Sequence, residues 1–523
     1  MAKLSARHAA LGTALVLATS LLAACGSSPA STKSTNPANQ ALVLLQNYDV
    51  TSMDPAIAYD PPSSQVVSLA YGTLLTLKGS STELAPGLAT SWQSSAGGKV
   101  WTFSLRKGIH FADGSAFNSQ AVKFAFERTI KMNQGPAWML DVIKSIATPS
   151  PDKVVITLKY AYQPFIYSLA QPSGTAIISP AGVKKHGNAW FQNHTDGTGP
   201  YQASQWVHGQ QVVMVRNPHY WQGWQGDHFN KVILKIVTEP STQQMLLQTG
   251  GADMNIAFPL SNVSQLKNQK GLKVLTEPGL NILYIGLNNK TGPTANQLVR
   301  QALSYTLDYQ GAVKEIYSGY AQQAKGPLPP ALWGYDASLP QYHLDLAKAK
   351  QLLTQAGYPH GFPMTITVEE NPLYQQVVES WQSTLKQVGI TATITTMPWA
   401  TEYKKISVLK TAPSAFITSW YADFADPDDF LYPQYASNQQ GTVGFNLEWY
   451  GNPQVDKLLN QARVTPDHQQ RITLYQQVQK LLIQQAPAIW VLDQKTAVVE
   501  RSNVHGYVYN ALWPVNAYSM TKN

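Results

Sequence analysis

The chain has 523 residues, of which 44% are hydrophobic and only 13% charged, and its formal net charge is +8. This composition excludes a disordered polyelectrolyte, and with no Lys/Arg run longer than Lys184-Lys185 and Lys404-Lys405 it also lacks the dense basic stripe of a nucleic-acid binder. Cys25 is the only cysteine, which excludes an internal disulfide and leaves the fold to be held by its core.

In chain order, Lys3 and Arg7 precede an uncharged Ala/Leu/Val-rich run from Ala9 to Ala24. This is the pattern of a secretory signal, and as a helix rising about 1.5 Å per residue it falls short of the ~30 Å hydrocarbon core of a bilayer. The run ends in Leu22-Ala23-Ala24-Cys25-Gly26, which resembles the bacterial lipobox, where the cysteine thiol receives a diacylglyceryl group before cleavage in front of it. Residues 1–24 are therefore read as a signal peptide and 25–40 as a lipidated cysteine with a flexible tether spanning roughly 20 Å. The expected location is extracytoplasmic, on the cell membrane, with the lipid on Cys25 as the only attachment.

The remaining body exceeds what one core usually supports, so two or three lobes are expected. Trp101, Phe103 and Leu105 alternate with polar residues as a strand, and Asp113-Gly114 offers a turn. Ser119 is placed as the cap of a helix presenting Val122, Phe126 and Ile130 on one face, followed by a strand through Val154, Ile156 and Leu158. Trp92, Trp101, Phe103 and Phe111 read as core, and Arg106 as half of a structural ion pair. Further on, Asp345 caps a helix ending before Gly357, a second helix carries Val377, Trp381, Leu385 and Val388, and a strand runs from Ile390 to Thr396. Thr465 and Pro466 supply an N-cap and first-turn proline for a helix through Tyr475, Val478 and Leu482, and Ala488 to Leu492 is the next strand. Such units build mixed sheets flanked by helices, an α/β fold, with a cleft between lobes as the natural ligand site.

Several segments in order resemble one family. They are LAPGLATSWQSSAGGKVWTFSLRKGIHFADGSAFNSQAVKFAFER from Leu84, GTGPY from Gly197, RNPHYW from Arg216, VRQALSYTLD from Val299, AKAKQLLTQAGY from Ala347 and WYADFADPDDF from Trp420. On these the chain is similar, from about Ala41 to its C-terminus, to the extracellular solute-binding proteins of the dipeptide and oligopeptide permease type, family 5. The resemblance implies a periplasmic-binding-protein-like fold of the large three-lobe form. Domain I would comprise 41–72, 194–285 and 493–523, domain II 73–193, and domain III 286–492, with two crossings acting as a hinge. GTGPY is expected to shape an interlobe crossing or a cleft wall.

It further implies a substrate-binding lipoprotein of an ABC importer that captures a peptide-like solute and delivers it to permease and ATPase subunits, as a monomer and without nucleic acid. Peptide binders of this family hold the ligand's α-ammonium with an aspartate in the segment that matches Trp420 to Phe430, and Asp423 is the matching position. Trp420, Tyr421, Trp399, Tyr59, Asp60, Asn281 and Trp513 match ligand-lining stretches. The arginines that meet a peptide carboxylate in some relatives have no counterpart: one matching position is Ile417, and the segment VEENPLYQQ from Val368 contains none. Lys404, Lys405, Lys410, backbone or water would have to serve instead. A peptide-sensing signalling lipoprotein, or a binder of a metal complex, an amine or a sugar, are the alternatives.

An enzyme is disfavoured, because no nucleophile elbow, zinc helix or phosphate loop is present and the 11 histidines are scattered without ligand spacing. No cofactor or metal is expected. If Cys25 carries the only anchor, Cys25→Ser releases the protein from membranes into the soluble fraction while its circular dichroism spectrum stays unchanged.

Overall fold

The computed structural model describes residues 41–510, 512 and 515–523. Cys25 and Trp513 lie outside the described residues. The chain is mixed α/β, with sheets flanked by helices, as the sequence pattern predicts. Its spine is an eleven-stranded sheet. From one edge the strands are Thr391–Met397, Pro363–Glu369, Ala415–Tyr421, Leu272–Leu287, Ala488–Arg501, Met254–Asn255, Ala41–Gln46, Lys231–Ile236, Gln211–Arg216 and Tyr201–Val207, with Ala321–Gln323 paired to Ala488–Arg501 as well. A separate four-stranded antiparallel sheet contains Ala89–Ser95, Val100–Leu105, Lys153–Leu158 and Ile143–Ser150 in that spatial order.

The two longest strands, Leu272–Leu287 and Ala488–Arg501, pair antiparallel with each other and carry the sheet from one half of the body to the other. Their ladder is interrupted between Pro278 and Ile282 and again between Leu283 and Tyr284. The predicted strand from Ala488 to Leu492 is thus the first third of a longer one, which continues beyond the apolar run because Val498 and Val499 are again buried.

Local chemistry shifts two predicted caps by one or two residues. Asn118, not Ser119, caps the helix Ser119–Met132: its Oδ1 accepts from the backbone N–H groups of Gln120 and Ala121, while the Ser119 hydroxyl donates to Ser150 O. Asp467, not Thr465, caps the helix His468–Gln485, and Thr465 instead closes the preceding helix Pro453–Val464. In both cases a side chain that reaches its own second or third following N–H displaces the residue next to the apolar stripe. Asp345 caps as expected. The helix Pro372–Gln387 buries Trp381, whose indole N–H donates to Thr306 Oγ1 at 2.8 Å.

Among the described residues Arg106 forms no ion pair. Its Nε donates to Gly87 O at 2.7 Å and its guanidinium lies 4.8 Å from the Trp221 ring centroid. Trp101, Phe103 and Phe111 are buried, whereas Trp92 is half-buried. The GTGPY segment packs against the end of the helix Pro61–Ala70: Gly199 N–H donates to Ala70 O at 3.0 Å, and a Cβ on Gly199 would lie 2.5 Å from Leu69 O. Only glycine tolerates that approach.

Two acids are fully buried beneath the sheet half that contains Phe416. Burial pushes the Glu402 carboxyl up to about 7 and the Glu448 carboxyl up to about 8. A carboxyl raised in the folded state binds more protons folded than unfolded, so stability declines as pH rises from its ordinary value of 4.5 through the raised one. Glu448→Gln removes that penalty, and thermal unfolding should show a gain of several degrees at pH 8.5 and almost none at pH 5.

Candidate functional site

The loop from Ala422 to Asp426 joins the strand Ala415–Tyr421 to the helix Pro427–Tyr435. Its end is fixed by Asp426, which is fully buried. Asp426 Oδ1 accepts from Asp428 N–H at 2.9 Å as the helix N-cap, and both carboxylate oxygens accept from Arg471 Nη2 at 2.9 and 2.8 Å. Asp428 accepts from the Tyr162 hydroxyl at 2.9 Å and stands 3.3 Å from Arg463 Nε. Arg463 in turn lies over the Tyr432 and Tyr162 rings, 3.6 and 4.7 Å from their centroids. Asp429 turns back on the loop, and its Oδ2 accepts from Asp423 N–H at 2.9 Å.

So held, Asp423 meets two distant parts of the chain directly and a third through Tyr59. Its Oδ1 accepts from the Tyr59 hydroxyl at 2.6 Å, and the Tyr59 oxygen accepts from the Trp138 indole N–H at 3.2 Å. Gln171 Nε2 donates to Asp423 O at 2.8 Å, and Trp138 and Phe424 hold their rings 6.2 Å apart. Burial raises the Asp423 carboxyl to about 6, and the Tyr59 hydrogen bond opposes that rise by favouring the anion. Yet Tyr59, Trp138 and Tyr421 each keep 41 to 45% of their surface open, so the place is a lined recess and not a sealed core.

The structure brings Asp423, Tyr59, Trp420 and Tyr421 into one neighbourhood. Tyr421 lies opposite Asn281 in the ladder between Ala415–Tyr421 and Leu272–Leu287. Trp420 begins an aromatic wall: its ring is 5.3 Å from Phe445, Phe445 is 5.7 Å from Tyr403, and Tyr403 is 5.8 Å from Trp399. Asp60 is engaged locally, since its Oδ1 accepts from Ser63 N–H at 2.9 Å as the cap of Pro61–Ala70 and its Oδ2 accepts from the Thr51 hydroxyl. Trp138, Gln171, Tyr403 and Phe445 were not expected from the sequence. Trp138 and Phe445 stand out only as exposed large rings, Tyr403 is half-buried and Gln171 is a buried amide, and a sequence reports none of this.

Ile417, at the position where an arginine would meet a peptide carboxylate, is fully buried in the apolar core. Lys404 and Lys410 are exposed and Lys405 is half-buried. Among the described residues no three of His, Cys, Asp and Glu are grouped to hold a metal, and no helix is long and apolar enough to cross a membrane.

Residues 83–442 match the family model described as bacterial extracellular solute-binding proteins, family 5 Middle. The chain belongs to this family. The family 5 protein is 33% identical over 507 residues to the probable D,D-dipeptide-binding periplasmic protein DdpA of Escherichia coli, covering 95% of each chain. It is 32% identical over 504 residues to the glutathione-binding protein GsiB of Escherichia coli, covering 94% of this chain and 95% of that one. Among solved structures, HbpA2 from Haemophilus parasuis is 28% identical with a TM-score of 0.85, covering 92% of this chain and all of the other. The ABC transporter-associated periplasmic binding protein DppA from Helicobacter pylori, in complex with the peptide STSA, is also 28% identical, with a TM-score of 0.76 over 93% of this chain and 99% of that one.

In this family 5 protein, Tyr59→Phe removes the hydroxyl that, among the described residues, stabilises ionised Asp423. A hydrogen bond to a charged group contributes about 1.5–3 kcal/mol, or about one to two pH units. Carbon-13 carboxyl NMR with labelled aspartate should show the Asp423 midpoint rising from about 6 by that order.

Proposed function

We propose that this family 5 protein captures a peptide or a similar small solute by its ammonium group, outside the cytoplasm, and delivers it to an ABC importer from a lipid anchor on Cys25. The observation that carries the reading is Asp423. It is a carboxylate held in a recess by backbone, with a neutral tyrosine as its only side-chain hydrogen-bond donor among those described. A ligand ammonium supplies the missing positive charge, and closing water out strengthens the pair provided hydrogen bonds complete it. Relatives with a third of their residues in common bind D,D-dipeptides and glutathione by name, and both classes carry such an ammonium.

The lobes would be 41–72, 194–285 and 493–523 for domain I, 73–193 for domain II and 286–492 for domain III. Tyr59 comes from the first, Trp138 and Gln171 from the second, and Asp423 from the third, so a ligand at Asp423 would favour the closed arrangement. The interruptions in the ladder of the two crossing strands are where such a hinge would bend. Trp399, Tyr403, Phe445 and Trp420 would receive a ligand side chain, and Trp420, Tyr421 and Asn281 the floor beside it. A second reading is favoured by the buried Ile417: the ligand is an amine with no free carboxylate, since no arginine stands where one would meet it. The protein performs no reaction in either reading.

Asp423→Asn keeps the shape and removes the charge. Calorimetry with D-alanyl-D-alanine and glutathione should show the affinity falling about thirtyfold to several thousandfold, the cost of roughly 2–5 kcal/mol for truncating a desolvated charge pair. N-acetylation of either probe should weaken the wild type strongly and the mutant hardly at all; equal losses in both proteins would place the amine elsewhere.

A further inference from the structure

Four carboxylates fall within the eight residues from Asp423 to Phe430. Two of them are matched by guanidinium groups, Asp426 by Arg471 and Asp428 by Arg463. The other two, Asp423 and Asp429, are joined to each other through Asp423 N–H and Asp429 Oδ2, and no salt bridge reaches either among the described residues. Asp429 is only 3% exposed.

The groups around this pair come from every element packed on it, and none brings positive charge of its own. The loop before Pro61–Ala70 contributes the Tyr59 hydroxyl, the turn Gly135–Leu140 the Trp138 indole, and the segment before Pro172–Thr175 the Gln171 amide. The strand Ala415–Tyr421 contributes Trp420, and the helix Pro427–Tyr435 adds Asp428, whose charge opposes ionisation of Asp429. Arg463 and Arg471 are committed to Asp428 and Asp426. With Asp429 buried, Asp423 half-buried beside it and no cation on either, ionising both costs more than ionising one, and the proton they retain belongs to the pair. In accord with this, burial first and the neighbouring Asp423 second hold the Asp429 carboxyl well above the usual carboxylate range.

We propose that Asp429 makes the amine site proton-coupled: arrival of the ligand's cation at Asp423 breaks the O–H bond of the retained carboxylic acid and sends that proton to solvent. The inference rests on the reading of Asp423 as the ammonium anchor. Asp429 is a positioning residue, since it holds the Asp423 backbone and answers the ligand's charge without touching it. The linkage has a definite sign. A cation favours the doubly ionised pair, so affinity for an ammonium rises with pH through the upper step of the pair, and that rise depends on Asp429 being an acid.

The experiment is calorimetry of D-alanyl-D-alanine and glutathione binding to the mature protein at pH 7, in phosphate and in Tris, whose ionisation enthalpies differ widely. The expected result is a buffer-dependent heat in the wild type that corresponds to release of a substantial fraction of one proton per ligand. Asp429→Asn, which keeps an oxygen for Asp423 N–H, should bind within about tenfold of the wild type and lose most of that proton release. Heat independent of buffer in the wild type overturns the proposal by itself, even if the variant fails to fold, and so does undiminished release from Asp429→Asn; both leave the anchor standing. Unchanged binding in Asp423→Asn overturns the anchor and the proton coupling with it.

Discussion

The site hangs on the ion pair between Asp426 and Arg471. Both side chains are buried, so their attraction has to offset the loss of two hydration shells, and it does so here with two oxygens engaged by one guanidinium nitrogen and the helix cap completing Asp426. Arg471 sits on the long helix His468–Gln485, and its Nε also donates to Ala462 O in the helix before it. The pair thus ties the end of a central strand, the start of a helix and two C-terminal helices to one point. Removing either partner would strand a buried charge, at a cost of about 3–5 kcal/mol. With that point fixed, the three residues before Asp426 have little freedom, and Asp423 is presented toward Tyr59 by the backbone and not by its own rotamer alone.

The second constraint is the long sheet. Because Leu272–Leu287 and Ala488–Arg501 share one ladder across the body, the two halves are joined by hydrogen-bonded strands and not by a loose linker. The ladder is irregular only between Pro278 and Ile282 and between Leu283 and Tyr284, and elsewhere its pairs run in register. Among the described residues the apolar core is in three parts: one large cluster that draws residues from Leu42 to Met520, a second around Trp381, and a small third around Leu247 and Val499.

Much of this was legible in the sequence, and the legible part has a common cause. Alternation in Trp101-Phe103-Leu105, the stripe of Val377, Trp381 and Leu385, and the cap at Asp345 are local signals, written within a few residues of the structure they specify. The ordered motifs gave the fold class for the same reason. What failed was local competition and distant contact. Ser119 and Thr465 are good capping residues that lost to a neighbour with a better placed oxygen, and Arg106 found a carbonyl and an indole where a carboxylate was expected. Gln171 meets Asp423, and Trp138 meets Tyr59 and Phe424, only through folding across long stretches of chain, and nothing around them in the sequence marks them out.

The four carboxylates of the loop also differ in how they stand toward ions in the surrounding medium. Asp426 and Asp428 face their arginines inside the protein, where dissolved salt does not enter, whereas Asp423 opens on a recess lined by exposed rings. Screening acts over about 8 Å at physiological ionic strength, so it reaches the third of these and not the first two. Dissolved salt would therefore weaken the field that Asp423 casts into the recess while leaving the two buried arginine pairs, and the loop they hold, as they are, so the scaffold and the charge it presents respond separately to the ionic strength outside.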